Sequence, residues 1–382
     1  MANSMVELYG KQGQSPWLDF IRRNMLHDGG MKRYIEEDGI RGVTANPTIF
    51  AQAIGAGDDY DAQISELARK GVAPADMFEQ IAIDDIRAAA DLLRPVYKDS
   101  NGGDGYVSIE VSPDKAFQTQ ATIDEAKRWW ANIDRPNLLI KIPATNEGIP
   151  AIEECIAEGI NINITLIFAI SFYEKVMEAY IRGLERRVSD GQQIDRLHSV
   201  ASFFVSRVDT ATDKRIEAKL AAASTDGDRE KLRSLLGKAA VANAKIAYER
   251  FLAVFGAGRF KKLSAAGAHT QRPLWASTGT KNKAYSDILY IQELIGPDTV
   301  NTMPPATIDA FRDHGVARRT IDSGVAEAHT VMRDLAAAGI SIDEVTDELQ
   351  REGVEAFSKS FQQINATTAE KASMLKAKAG AA

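Results

Sequence analysis

The stretch NLLIKIPATNEGIP (residues 137–150) sets a single lysine, Lys141, in the middle of a run of Leu, Leu, Ile, Ile and Pro. A short apolar run bounded by turn formers reads as a strand buried on both faces, where an ammonium group is expensive. Three arrangements relieve that cost. The side chain snorkels to water, or it is paired, or the site calls for a lysine stripped of its proton.

Seven further runs of the same kind surround it: PWLDFI (16–21), RGVTANPTIF (41–50), GYVSIEV (105–111), NINITLIF (161–168), HSVASFFVSRV (198–208), PLWAST (273–278) and TVNTMPPA (299–306). With NLLIKIPA (137–144) they make eight. Between them lie segments with helical spacing: YDAQISELARKG (60–71), ADMFEQIAIDDIRAAADLLRPVY (75–97), TIDEAKRWWANI (122–133), GIPAIEECIAEG (148–159), SFYEKVMEAYIRGLERRV (171–188), REKLRSLLGKAAVANAKIAYERFLAVF (229–255) and YSDILYIQELIG (285–296). Strands that alternate with helices imply βαβ units and a parallel sheet, and eight of them predict an α/β fold closed as a (β/α)8 TIM barrel. An open doubly wound sheet is the alternative. The chain reads as a single barrel domain over 1–382, with a helical insertion at about 209–272 and C-terminal helices at about 322–375. Ser341 and Thr346 are candidate caps for those last helices, which are expected to pack across the barrel, and AEKASMLKAKAGAA (369–382) is expected to fray.

Composition narrows the function classes. At 382 residues, 45% hydrophobic and 26% charged, the chain can bury a substantial core. A net charge of -7 without a dense basic patch argues against a nucleic-acid partner. One cysteine, Cys155, excludes an internal disulfide and a thiolate zinc cluster and reads as buried packing. The five histidines (His27, His198, His269, His314, His329) form no HxH or HExxH pair, so the metal expectation is none. The N-terminal segment lacks a charged-then-apolar signal region and no apolar run reaches 18 residues, so the expectation is cytoplasmic with no membrane partner. GAGDD (55–59) and GAGR (256–259) do not join a strand to a helix as a dinucleotide fingerprint must, and the expected organic cofactor is none. STGTK (277–281) ends the seventh run, where barrels often hold phosphate, but is no Walker sequence.

Polar residues recur in or at the ends of the strand-like runs: Asp19, Thr44, Asn46, Glu110, Lys141, Asn163, Thr165, Ser202, Arg207, Ser277 and Asn301. In a parallel barrel all strands point the same way, so these positions converge on the catalytic mouth. Burial in a dry core disfavours the charged form of a lysine, and the free amine can form a Schiff base, an electron sink for carbon–carbon cleavage. Such chemistry needs a proton shuttle for dehydration of the carbinolamine and a base for the hydroxyl whose carbon loses its bond. Glu110 on the neighbouring strand and Asp19 across the mouth are the candidates. A purely structural Lys141–Glu110 ion pair is the competing account.

Three motifs, GVTANPTIF (42–50), NLLIKIPAT (137–145) and GININITLIF (159–168), together resemble the transaldolase family, class I aldolases on a (β/α)8 barrel. The resemblance covers about residues 14–335, and the middle insertion with WASTGTKN (275–282) is similar to the longer bacterial members. It implies sugar-phosphate substrates, Lys141 as the Schiff-base nucleophile and Asp19 as the base at the C4 hydroxyl. Glu110 with Thr165 and a bound water would handle the protons of Schiff-base formation. It also implies that Thr44, Asn46, Asn163 and Ser202 belong to the substrate-binding set and that Arg207 grips the sugar phosphate. The family's Ser-x-Arg phosphate element appears here as Ser277-Thr-Gly, with Lys281 two residues beyond Gly279 as the inferred second cation. The implied activity is transaldolase. Its rivals are a fructose 6-phosphate aldolase using the same lysine and a non-catalytic sugar-phosphate-binding barrel. Monomer and homodimer both stay open.

Overall fold

In the computed structural model, which describes residues 3–380, eight parallel strands close into a barrel in sequence order. They are β1 (Gln14–Leu18), β2 (Gly42–Thr44), β3 (Tyr106–Glu110), β4 (Leu138–Pro143), β5 (Ile162–Ile167), β6 (Ser199–Phe204), β7 (Arg272–Ala276) and β8 (Thr299–Met303). β8 pairs back on β1 over five residues, which excludes the open sheet. Six of the eight predicted runs contain their strand whole, while β7 starts one residue before its run and β1 two. β4 is buried at all six positions, as its Leu/Ile content requires.

Register decides which side chains share the interior. Thr44 pairs with Ser108, Glu110 with Lys141, Lys141 with Asn163, and Trp17 with Thr302. Alternate residues of a strand face opposite sides, so this pairing carries one inward set around the barrel: Asp19, Thr44, Glu110, Lys141 and Thr302 near the C-terminal ends, with Asn163 and Ser202 between β5 and β6. Asn301 falls on the other parity, beside Pro16, so Thr302 and not Asn301 reaches the mouth from β8. The opposite, N-terminal end is tied by Asp104, 1% exposed, which accepts from Trp17 Nε1 (3.0 Å), Arg41 Nε (2.9 Å) and the Ser15 hydroxyl, while Arg272 Nη2 stands 3.5 Å away. Gly42 is required there because the Trp17 ring occupies the place of a Cβ.

Several strand runs end sooner than expected because a helix begins within two or three residues. RGVTANPTIF is strand only to Thr44: the Asn46 side chain accepts from Ile49 N (3.0 Å) and caps the helix Pro47–Gly55, with proline at the first turn, where its missing N–H costs nothing. HSVASFFVSRV turns at Val205 into the helix Ser206–Ala222, so Arg207 stands in a helix's first turn and not on a strand. TVNTMPPA gives way at Pro305 to the helix Pro305–His314. The segment 229–255 is two helices, Asp226–Arg233 and Ala239–Phe255, separated at a turn where Gly237 has φ +67°. YSDILYIQELIG keeps one short helix, Leu289–Gln292. Helices at Ser4–Gln12, Arg23–His27 and Gly30–Glu37 were not foreseen.

The C-terminal part differs from expectation in two ways. Val325–Ala337 packs on the rim helix Ala239–Phe255, and only the second segment crosses the mouth, as one continuous 39-residue helix, Ile342–Gly380. Ser341 Oγ accepts from Glu344 N (3.2 Å) as a cap should. Thr346 is no cap: it lies inside the helix and returns its hydroxyl to the Ile342 carbonyl at 2.9 Å. The segment 369–380, expected to fray, is helical through Gly380, and residues 381–382 lie outside the described residues. Among those residues no helix is long and apolar enough to cross a membrane.

Candidate active site

A cavity of about 590 Å³ opens at the C-terminal ends of the strands. Its wall includes Asp19, Thr44, Asn46, Lys141, Thr165, Ser202, Arg207, Ser277 and Lys281, nine of the twelve residues singled out from the sequence. Of the other three, Glu110 and Asn163 lie behind the wall and Asn301 faces away from it.

Lys141 answers the opening question by pairing. It is 4% exposed, its Nζ stands 3.0 Å from Glu110 Oε2 and donates to the Ala45 carbonyl at 3.2 Å. The pair is close in distance but poorly aligned: neither Glu110 oxygen accepts a well-directed hydrogen bond among the described residues. Burial raises the Glu110 carboxyl above its usual range, Asp19 pushes the same way, and Lys141 opposes both. A carboxyl so placed is ready to hold or yield a proton beside the amine. An ion pair alone would suit the structural account. The place of Lys141 on the cavity wall goes beyond it.

Asp19 follows β1, its backbone N–H bonded to the Met303 carbonyl at 2.8 Å. Its carboxylate accepts from Thr44 Oγ1 at 2.6 Å. Burial raises Asp19, while the Thr44 hydrogen bond and the Lys141 charge lower it. Thr165, on β5 just before a register shift where Leu166 takes φ +58°, has a buried hydroxyl with no hydrogen-bond partner among the described residues. Leu166 is a non-glycine residue in the left-handed region, and such a bulge re-aims its neighbours.

Asn163 is fully buried; its amide donates to Ser108 Oγ (3.0 Å) and its carbonyl oxygen accepts from Ser202 Oγ (2.7 Å). It fixes Ser202 from below. Ser277, just past β7 with φ +56°, accepts Ser206 N at its carbonyl (3.1 Å) and meets Ser206 Oγ at 3.0 Å. That strap joins the β7 loop to the helix bearing Arg207. Half-buried Arg207 and exposed Lys281 are the cations besides Lys141 on the cavity wall.

Sequence reasoning missed Phe20, Phe204, Thr302 and Phe357 on this wall. Thr302 was recoverable from strand parity. Phe204 sat in a quoted run, but an aromatic residue there reads as core. Among the described residues no group of three or more His, Cys, Asp or Glu is placed to hold a metal ion. Cys155 is buried, and burial pushes its thiol up to about 12.

Comparison with known proteins agrees with this geometry. The family model described as transaldolase/fructose-6-phosphate aldolase matches residues 16–368. A protein named transaldolase from Mycolicibacterium smegmatis is 49% identical over 353 residues, covering 92% of this chain and 93% of the relative. Transaldolase 2 from Nostoc sp. is 47% identical over 95% of this chain and 96% of its own length, and a transaldolase from Saccharopolyspora erythraea is 47% identical over 96% and 98%. With matches of this length and identity, this chain belongs to the transaldolase/fructose-6-phosphate aldolase family.

Proposed function

We propose that the chain acts as a transaldolase through a Schiff base on Lys141, moving a dihydroxyacetone unit between sugar phosphates. The donors are sedoheptulose 7-phosphate or fructose 6-phosphate, and the acceptors are erythrose 4-phosphate or glyceraldehyde 3-phosphate, in the pentose phosphate pathway. The observation that carries this reading is the placement of Lys141 on the cavity wall, with the raised carboxyl of Glu110 3.0 Å behind it and Asp19 on the same wall.

The amine of Lys141 adds to the C2 carbonyl of the ketose, and the carbinolamine loses water to give the imine. Glu110 and Thr165 serve as the proton path for that dehydration. The ionised Asp19 takes the proton of the C4 hydroxyl, the C3–C4 bond breaks, and the aldehyde leaves. The three-carbon enamine then adds to the acceptor aldehyde, Asp19 returns its proton, and water adds to the resulting imine so that the carbon–nitrogen bond breaks, the new ketose leaves and the Lys141 amine is restored. Arg207 and Lys281 hold the phosphate, and Asn46, Ser202 and Ser277 supply hydroxyl and amide contacts.

Borohydride trapping tests the assignment. The protein is incubated with fructose 6-phosphate, reduced, and mapped by peptide mass spectrometry; a three-carbon adduct on Lys141 is expected. No adduct on any lysine of the folded protein would leave Lys141 as a structural charge.

A further inference from the structure

The helix Ile342–Gly380 presents Gln350, Gly353 and Phe357 at helical spacing toward the barrel mouth. Gln350 Nε2 donates to the Ala144 carbonyl beyond β4 at 2.8 Å. Gly353 permits close approach to β5, because a Cβ there would stand 2.8 Å from Leu166 Cδ2. One turn later the Phe357 ring comes to lie with its centroid 6.0 Å from Lys141 Nζ, and the residue is 4% exposed. The helix is pinned on both flanks: Thr48 to Ser360 (2.8 Å), Ser358 to Asp114 (2.7 Å), Arg215 to Glu348 (2.5 Å) and Lys371 to Asp61 (2.8 Å). These ties hold an aromatic roof over the nucleophile.

After cleavage, the three-carbon fragment on Lys141 has two fates. It adds to an acceptor aldehyde, which is transfer. Otherwise its terminal carbon takes a proton from solvent, water adds to the imine carbon, the carbon–nitrogen bond breaks, and dihydroxyacetone leaves while the lysine amine is restored. The water consumed in that release equals the water lost when the Schiff base formed, so the sum is simple aldol cleavage. Release at the three-carbon stage needs a solvent proton on the enamine carbon before water takes the imine; transfer needs no such proton, and water takes up its imine only after the new carbon–carbon bond has formed.

We propose that Phe357 is the specificity-determining residue that favours transfer over release, by keeping solvent from the enamine on Lys141. The Phe357 ring has no donor or acceptor, so it leaves the Glu110 and Thr165 side as the proton path. This proposal rests on the Schiff-base reading of Lys141.

The test compares Phe357→Ala and Phe357→Leu with the unsubstituted full-length chain, supplied with fructose 6-phosphate and with or without erythrose 4-phosphate. Free dihydroxyacetone, sedoheptulose 7-phosphate and the borohydride-trapped adduct are measured together. Phe357→Ala is expected to raise the ratio of release to transfer by about tenfold, and Phe357→Leu by about threefold, with the adduct on Lys141 retained. An unchanged ratio in a variant that still forms the adduct overturns the proposal. If Phe357→Ala fails to fold, the leucine variant decides by the same ratio. Absence of the adduct in the unsubstituted chain overturns the Lys141 reading itself, a result distinct from an unchanged ratio.

Discussion

Thr44 donates its hydroxyl proton to Asp19 at 2.6 Å, and its oxygen lies 2.7 Å from the hydroxyl of Thr302. Since the Thr44 proton is committed to Asp19, Thr302 must be the donor in the second contact, and the strands flanking β1 deliver a relay of two hydroxyls onto one carboxylate. That relay favours the ionised form of an acid that burial pushes toward the neutral one. With Asp19 acting as base, Thr44→Val is expected to move the acid limb of the kcat/KM profile to higher pH. Thr44→Ser, which keeps the donor, leaves the limb in place. The check is a pH profile with fructose 6-phosphate as donor.

The Lys141–Glu110 pair makes stability depend on pH in the variants. Glu110 is raised in the folded chain, so its burial costs nothing below the unfolded value and costs progressively more as pH rises through the folded value. Lys141→Ala removes the charge that opposes this rise. Its stability should match the parent most closely near pH 4 and fall behind with increasing pH, reaching a deficit of about 3 kcal/mol by neutral pH. Adding Glu110→Gln to Lys141→Ala should recover most of that loss. Thermal unfolding scanned from pH 4 to pH 8 reads both outcomes.

Arg207 and Lys281 differ in burial, so their contributions to phosphate binding should differ. Half-buried Arg207 sits in the first turn of its helix and offers a guanidinium fork, whereas Lys281 is exposed on the loop after β7. Arg207→Ala is expected to raise KM for fructose 6-phosphate by about a hundredfold, and Lys281→Ala by about threefold, with the smaller effect vanishing at high salt. Steady-state kinetics at two ionic strengths would distinguish them, and equal effects from the two variants would contradict the burial argument.

His198 should govern acid lability. It stacks on His269 at 4.1 Å between centroids, lies against the Tyr106 ring at 5.4 Å, and is 9% exposed. Burial, followed by the neighbouring His269 and Arg272, holds it down to about 3 from an ordinary 6.5. As pH falls below 6.5 the unfolded chain therefore takes a proton that the folded chain refuses, and stability drops by up to ~1.4 kcal/mol per pH unit until about pH 3. His198→Gln should shift the acid-unfolding midpoint to lower pH, measured by far-ultraviolet circular dichroism.

The sequence carried the barrel because each strand is a short apolar run closed by a turn, and that pattern survives without any tertiary information. Its errors in the strand runs fall at the βα junctions. In RGVTANPTIF and HSVASFFVSRV the apolar content continues from the strand end through the first helical turn, so periodicity does not mark the change at Asn46 or Val205. Lys141 was legible because a charge in an apolar run demands an explanation. Phe357 was not, because an aromatic residue on an amphipathic helix reads as core until the fold carries it to the mouth. Asn163 was named for its polarity, but polarity alone does not separate a wall residue from the one beneath it that orients Ser202.

The roofing helix also imposes an order on assembly during synthesis. The last barrel strand ends at Met303 and the helix that covers the mouth begins only at Ile342. A nascent chain that emerges from its N-terminal side can close all eight strands while the mouth is still uncovered. In that interval Lys141 faces solvent in a formed barrel without its aromatic cover. With the roles proposed for Lys141 and Phe357, a stall or cleavage between those two points is predicted to leave a catalyst that splits its donor and loses the fragment to water.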